Sequence, residues 1–305
     1  MSIRYQIIVL TILTVVVGLV LLAGKVTSQE AFNRDKGVTI VAAGDIASCE
    51  SQGDEATAEV VEKINPDVVL TLGDTTDHNG TYEELRDCYQ PSWGRFKSIT
   101  YPVLGNHDYG QGGFEDRHPD IYDASGFHSY FDISELGYYS FSLGDWLLVA
   151  LNSNCFVVGC EEGSEQYEWL KQELWQSDPG CLLAYWHHPV YSHGYYEEPY
   201  AMQEIWHLLY SYGADVILNG HDHVYDRRAM VDPASEFDAE GIRQFVVGTG
   251  GHPLYEFGAD KHTEVRSAEH LGVLLLSLLP DEYEWEFLTV GGDFTDRGNG
   301  ACHKR

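Results

Sequence analysis

The chain has 305 residues, and 48 acidic against 18 basic side chains give a formal charge of −30. That balance disfavours a nucleic-acid scaffold, because duplex binding needs a basic face that releases phosphate counterions. With 44% hydrophobic and 13% aromatic residues and no long run of like charge, the chain can bury a sizeable core, which excludes a disordered polyanion.

After Arg4 the stretch from Ile7 to Ala23 is almost wholly apolar, and small residues follow at Val26 and Ser28. A basic start, an apolar run and small residues describe a secretory signal over residues 1–28, cleaved before Gln29. If retained, residues 7–23 would be an anchor at the short edge of what spans a bilayer. Residues 29–37 read as a linker. Either outcome predicts export to a periplasmic, secreted or extracellular location, with membrane association only if the segment is kept. The six cysteines are even in number and lack zinc-site spacing, so in an oxidising context they predict disulfides. Cys155 and Cys160 are close enough to pair locally. Cys302 would pin back a polar, Gly-rich tail (Asp296 to Gly300) that would otherwise fray.

Residues 38–305 contain no repeat or long linker and read as one catalytic domain. Short β-branched runs predict strands at Val38 to Ala43, Val68 to Leu72, Trp146 to Leu151, Leu182 to Trp186, Val216 to Leu218, Phe245 to Val247 and Leu271 to Leu279. Tyr138 to Leu143 turns at Gly144-Asp145 into the next strand, a hairpin signal. Helical spacing recurs in Ala56, Val60, Val61 and Ile64, in Tyr167, Leu170 and Leu174, and in Ile205, Leu208, Leu209 and Tyr212. Strands alternating with helices predict an α/β layered core.

Chemistry gathers where these strands end. Apolar runs lead into Gly44-Asp45, Gly73-Asp74, Gly105-Asn106-His107-Asp108, His187-His188 and Gly220-His221-Asp222-His223. In open α/β sheets the C-terminal strand edge is where ligands bind, and a preceding glycine lets the backbone turn without a Cβ clash. One Gly-Asp after a strand is usually a turn. Five such endings in order supply an oxygen and nitrogen donor set suited to two cations of the zinc, iron or manganese kind.

On these motifs the sequence resembles the calcineurin-like metallophosphoesterases, and within them the purple acid phosphatases, over about Val38 to His303. The resemblance implies a four-layer αββα sandwich, two mixed sheets flanked by helices, with a two-metal centre at the sheet edges. It implies that Asp45, Asp74 and His223 hold one metal and that Asp74 bridges to a second, completed by Asn106, His187 and His221. His107 would lie just outside, facing the substrate. The sequence departs from the pattern at one place: Asp77 stands where purple acid phosphatases carry the tyrosine whose phenolate on ferric iron gives the colour. Ala47 occupies the superfamily's other ligand position, a histidine two residues after the first aspartate. Asp77 is a reasonable substitute, because a carboxylate binds iron, manganese or zinc; the alternative is a solvated Asp77 with water or His78 filling the site.

The expected reaction is hydrolysis of a small phosphomonoester by a metal-bridging hydroxide, with Asp74 in the catalytic centre and His107, oriented by Asp74 or Asp108, as general acid. His188, His193 and Tyr191 follow the His187 ligand and are expected on the substrate side. Alternatives are a phosphodiesterase or nucleotide hydrolase of the same fold, and a non-catalytic metal- or phosphate-binding protein. An acidic shell around the site disfavours long polyanions as substrates.

Overall fold

The computed structural model describes residues 37–76, 78–110, 123–192, 202–256, 258 and 260–303. The segments expected to be a leader (residues 1–28) and, nearly all of it, a linker (29–37), together with Asp77 and His193, lie outside the described residues. Among those described, no helix is long and apolar enough to cross a membrane.

In chain order the strands are β1 (Val38–Ala43), β2 (Val68–Leu72), β3 (Thr100–Val103), β4 (Tyr139–Leu143), β5 (Trp146–Ala150), β6 (Cys181–Tyr185), β7 (Val216–Asn219), β8 (Tyr225–Arg228), β9 (Arg243–Val247), β10 (Thr263–Ser267), β11 (Gly272–Leu278), β12 (Glu282–Thr289) and β13 (Thr295–Ala301). The longer helices are α1 (Gly53–Ile64), α2 (Ser125–Phe131), α3 (Glu165–Gln176) and α4 (Gln203–Ser211). One sheet runs β13-β12-β11-β1-β2-β3 and the other β10-β8-β9-β7-β6-β5-β4. Both are mixed: β1, β2 and β3 are parallel, as are β5, β6, β7 and β9, with antiparallel strands completing each sheet.

The parallel strands are apolar along their length because both faces are covered. All residues of β2, β5 and β6 are buried. Between the sheets, Tyr225 stacks on Phe287 at 3.9 Å, and the Trp146 indole N–H donates to the Leu279 carbonyl at 2.6 Å. On the outer face of the second sheet, Leu170, Leu174, Ile205, Trp206 and Leu209 of α3 and α4 join Leu147, Leu182, Ala184 and Ile217 in one apolar cluster. Val61 and Ile64 of α1 are buried on the first sheet's side, each such burial contributing about 1.5–3 kcal/mol. Helix α1 stops at Asn65, whose left-handed φ of 53° lets its N–H reach the Val61 carbonyl.

The hairpin forms as expected, with Gly144 at φ 60° in its turn. The disulfides are Cys49–Cys88, Cys155–Cys160 and Cys181–Cys302. The last one pins the C-terminus, yet the segment before it is no fraying tail. It is the edge strand β13, paired along its length with β12. The glycines of β13 lie under aromatic rings: a Cβ at Gly300 would stand 2.5 Å from the Tyr283 ring, and one at Gly298 would be closer still to Trp285. Ring cover from the neighbouring strand thus stabilises glycines that would weaken an isolated strand.

Candidate metal centre

The ends of β1 and β2 deliver Asp45 and Asp74, both buried. Asp45, Asp74 and His221 all have positive φ, at 57°, 46° and 70°. Side-chain-bearing residues hold that conformation only where the surroundings fix it, at a cost of about 1–3 kcal/mol each. The fixing contacts are visible. The His221 N–H donates to Asp45 Oδ2 and the His107 N–H to Asp74 Oδ1, each at 2.8 Å. Glycine makes the close approach possible: a Cβ at Gly220 would stand 2.8 Å from Asp45 Oδ2, and one at Gly105 would collide with Asp74. Each carboxylate therefore spends one oxygen on the backbone and turns the other inward.

Four potential ligand atoms converge on that inward side. His187 Nε2 lies 3.1 Å from Asp74 Oδ2, 3.1 Å from Asn106 Oδ1 and 3.2 Å from His221 Nδ1. The other nitrogen of His187 is committed to the Leu72 carbonyl at 2.8 Å, a bond that makes Nδ1 the donor and leaves Nε2 a lone pair. His223 repeats the device: Nδ1 bonds the Pro253 carbonyl at 2.8 Å, and Nε2 faces Asp45 Oδ1 at 3.2 Å. Asp45 Oδ1 is buried and otherwise without a hydrogen-bond donor. Lone pairs brought this close repel unless a cation stands among them.

Absent a metal, protons take that part. Burial opposes a charge on His187, but Asp74 outweighs it and lifts the imidazole to about 9. Burial likewise opposes the Asp74 charge, and the imidazoles of His187 and His107 overcome it, holding the carboxyl far below the usual range. Around them, desolvation pushes His188 down to about 3 and His221 well below its ordinary value, so both rings are neutral donors of electron pairs.

His107 begins a short 3₁₀ turn, His107–Tyr109, and its ring is partly exposed, with Nε2 3.9 Å from Asp74 Oδ2 and Nδ1 3.3 Å from the His78 carbonyl. Asp108 does not orient it. Its carboxylate turns away and accepts from the Gly105 N–H at 2.8 Å and the Thr75 N–H at 3.2 Å, tying the Asn106 loop to the Asp74 loop. His188 is at the centre, its ring 4.4 Å from that of His221 and its Nδ1 2.8 Å from Ser153 Oγ. Tyr191, expected beside the substrate, instead packs edge-on against Trp206 of α4 and donates to the Pro233 carbonyl at 3.0 Å.

Two further strand ends reach the centre that the motif reading passed over. After β5, Asn152-Ser153-Asn154 is fully buried, with Asn154 Nδ2 donating to the carbonyls of Leu104 and Gly105 at 3.3 and 3.4 Å. After β9, the His252 N–H donates to the Asp45 carbonyl at 3.0 Å, and Tyr255 stacks on His223 at 4.3 Å. The signal was the same as elsewhere: an apolar strand running into Asn-Ser-Asn or into Gly248-Thr249-Gly250-Gly251-His252.

Comparison with known proteins agrees with this geometry. The calcineurin-like phosphoesterase family model matches residues 38–225. Purple acid phosphatase 15 of Arabidopsis thaliana is 33% identical over 223 residues, which cover 62% of this chain and 40% of that protein. The purple acid phosphatase PPD1 from yellow lupin (Lupinus luteus) seeds superposes with a TM-score of 0.69 at 20% identity, covering 87% of this chain and 53% of that one. GAP50, the anchor in the inner membrane complex of Plasmodium, gives a TM-score of 0.63 at 15% identity, covering 88% and 90%. The two structures share the fold, which by itself hosts more than one role. The chain spans about half or less of the length of the two purple acid phosphatases. By the family match over most of its length and the purple acid phosphatases among its relatives, the chain belongs to the calcineurin-like phosphoesterases, on their purple acid phosphatase-like branch.

Proposed function

We propose that the protein is an exported, dinuclear metal-dependent phosphoesterase that hydrolyses small phosphomonoesters. The convergence of Asp74 Oδ2, Asn106 Oδ1 and His221 Nδ1 on His187 Nε2 carries this reading, because four such atoms within hydrogen-bond distance form a ready oxygen and nitrogen donor set for a metal cation. Asp45, Asp74 and His223 would hold one ion, and Asp74, Asn106, His187 and His221 the other. Asp77, on its sequence position alone, would be a further oxygen ligand of the first. When bound, two such ions of iron, zinc or manganese supply Lewis-acid charge and a water of lowered pKa.

The chain's own residues supply the rest. Glycine-bounded turns and second-nitrogen bonds to the Leu72 and Pro253 carbonyls fix the ligands before substrate arrives. His107, with Nδ1 toward the His78 carbonyl and Nε2 at the rim of the centre 3.9 Å from Asp74 Oδ2, is placed to protonate the leaving oxygen. The three disulfides support an oxidising location. Rates on p-nitrophenyl phosphate and on its bis-ester test the substrate class: faster turnover of the monoester supports the proposal, and a preference for the bis-ester overturns it.

A further inference from the structure

The turn after β5 meets the residue that follows His187. The His188 N–H donates to Ser153 Oγ at 3.0 Å, and the His188 carbonyl accepts from the Trp186 indole N–H at 2.7 Å, so the His188 backbone is held from both sides. Ser153 Oγ also lies 2.8 Å from His188 Nδ1. Ser153 is buried, and among the described residues its hydroxyl bonds only to these two atoms of His188. A hydroxyl has one proton and two lone pairs. The backbone N–H takes a lone pair, which leaves Nδ1 as the acceptor for the hydroxyl proton; were Nδ1 itself a donor, that buried proton would have nowhere to go. In the neutral ring the imidazole proton therefore sits on Nε2. His187 has the opposite tautomer, with Nδ1 the donor to Leu72 and Nε2 the lone pair. Of the two adjacent histidines, His187 offers an electron pair and His188 an N–H.

That N–H is at the centre. The His188 ring stands 4.8 Å from the His187 ring and 4.4 Å from the His221 ring, and one ring nitrogen of each of the three lies within 4.8 Å of the other two. The residue is half-buried; among the described residues Nε2 meets no hydrogen-bond partner, and it is not sealed from solvent. A ring nitrogen that carries a proton cannot ligate a cation, but it suits an anionic oxygen, with which it makes a charge-assisted hydrogen bond. We infer that His188 is a substrate-binding residue and not a metal ligand: Ser153 fixes its tautomer, and its Nε2–H donates to a phosphoryl oxygen held at the second ion. The inference rests on the phosphoesterase reading above and adds a donor to that site. A donor whose backbone and tautomer are set beforehand binds an oxyanion without reorganising.

The test measures metal content and the calorimetric affinity for inorganic phosphate in the zinc-loaded full chain and in H188A, H188Q and S153A. H188A should keep about two ions per chain and bind phosphate about 10- to 100-fold more weakly, the range for one hydrogen bond to a charged group. H188Q, whose amide N–H reaches close to the position of Nε2, should recover part of that loss. S153A releases the tautomer and should weaken phosphate binding by about 2- to 10-fold with the metals unchanged. In the zinc-loaded wild type, ring-nitrogen NMR shifts of His188 should show the proton on Nε2 and the lone pair on Nδ1, a result that needs no variant to fold. Loss of an ion in H188A, or a lone pair on Nε2 in the wild type, makes His188 a ligand and overturns the inference; so does phosphate affinity that is unchanged in H188A. A metal-loaded wild type that binds phosphate but hydrolyses no phosphomonoester overturns the phosphoesterase reading, while the phosphate affinities still decide the donor role. A wild type that binds no phosphate overturns both.

Discussion

His187 Nε2 and Asp74 Oδ2 face each other at 3.1 Å in a fully buried setting, while His187 Nδ1 is held by the Leu72 carbonyl. An imidazole lone pair and a carboxylate so placed repel until a proton or a metal ion stands between them. The Asp74→Asn substitution keeps the shape and removes the charge. It should abolish metal binding and turnover together, each by at least ~100-fold, since on the proposed reading the Asp74 carboxylate would serve both ions. Elemental analysis beside hydrolysis of p-nitrophenyl phosphate checks this; a D74N protein with full metal content and activity would contradict it.

His107 is tied to the centre by its backbone bond to Asp74, and its partly exposed ring stands at the rim with Nε2 3.9 Å from Asp74 Oδ2. His107→Ala should leave the metals in place and slow alkyl phosphates by about 10²–10⁴, while p-nitrophenyl phosphate, whose leaving group needs no proton, slows much less. Equal slowing on both would remove His107 from the acid role.

The residues after Asp74 are Thr75, Thr76 and Asp77, with no tyrosine. Iron-loaded protein should accordingly lack a tyrosinate charge-transfer band. Absorption spectra of the purified protein decide this, and a purple preparation would contradict it.

How much of this was legible in the sequence depended on whether local pattern and tertiary context agreed. Strands β1, β2 and β7 were readable as apolar runs, and their polar endings located Asp45, Asp74 and His221 to His223 because a glycine marked each turn. Strand β12 was equally readable, with Tyr283, Trp285 and Phe287 buried between exposed or half-buried glutamates, but its alternation was passed over. Strand β13 was not: Thr295 to Ala301 reads as a polar loop, and only the rings of Tyr283 and Trp285 across from Gly300 and Gly298 make it a strand. Tyr191 follows His187 closely in sequence, yet its ring belongs to the layer of α4. Nearness along the chain to a ligand gave no direction for a side chain.

Away from the centre, Asp260 pairs with the buried Arg228 at 2.6 Å. Burial opposes the Asp260 charge, but the Arg228 guanidinium outweighs it and holds the carboxyl at about 2, below its ordinary 3.8. Since the folded value is the lower one, the pair's contribution is present above about pH 4 and disappears as pH falls through about 2. Asp260→Asn should cost about 1–2 kcal/mol at pH 6, and the deficit should vanish near pH 2. Urea unfolding across that range measures it; a deficit that does not vary with pH would show that packing, not charge, is lost.

The most direct measurement is the metal content per chain of purified protein, followed through chelation and reloading while phosphomonoester hydrolysis is recorded. About two ions per chain are expected, with hydrolysis lost on chelation and restored on reloading. One ion or none in a hydrolysing protein, or two ions in a protein that hydrolyses no phosphoester, would contradict the account.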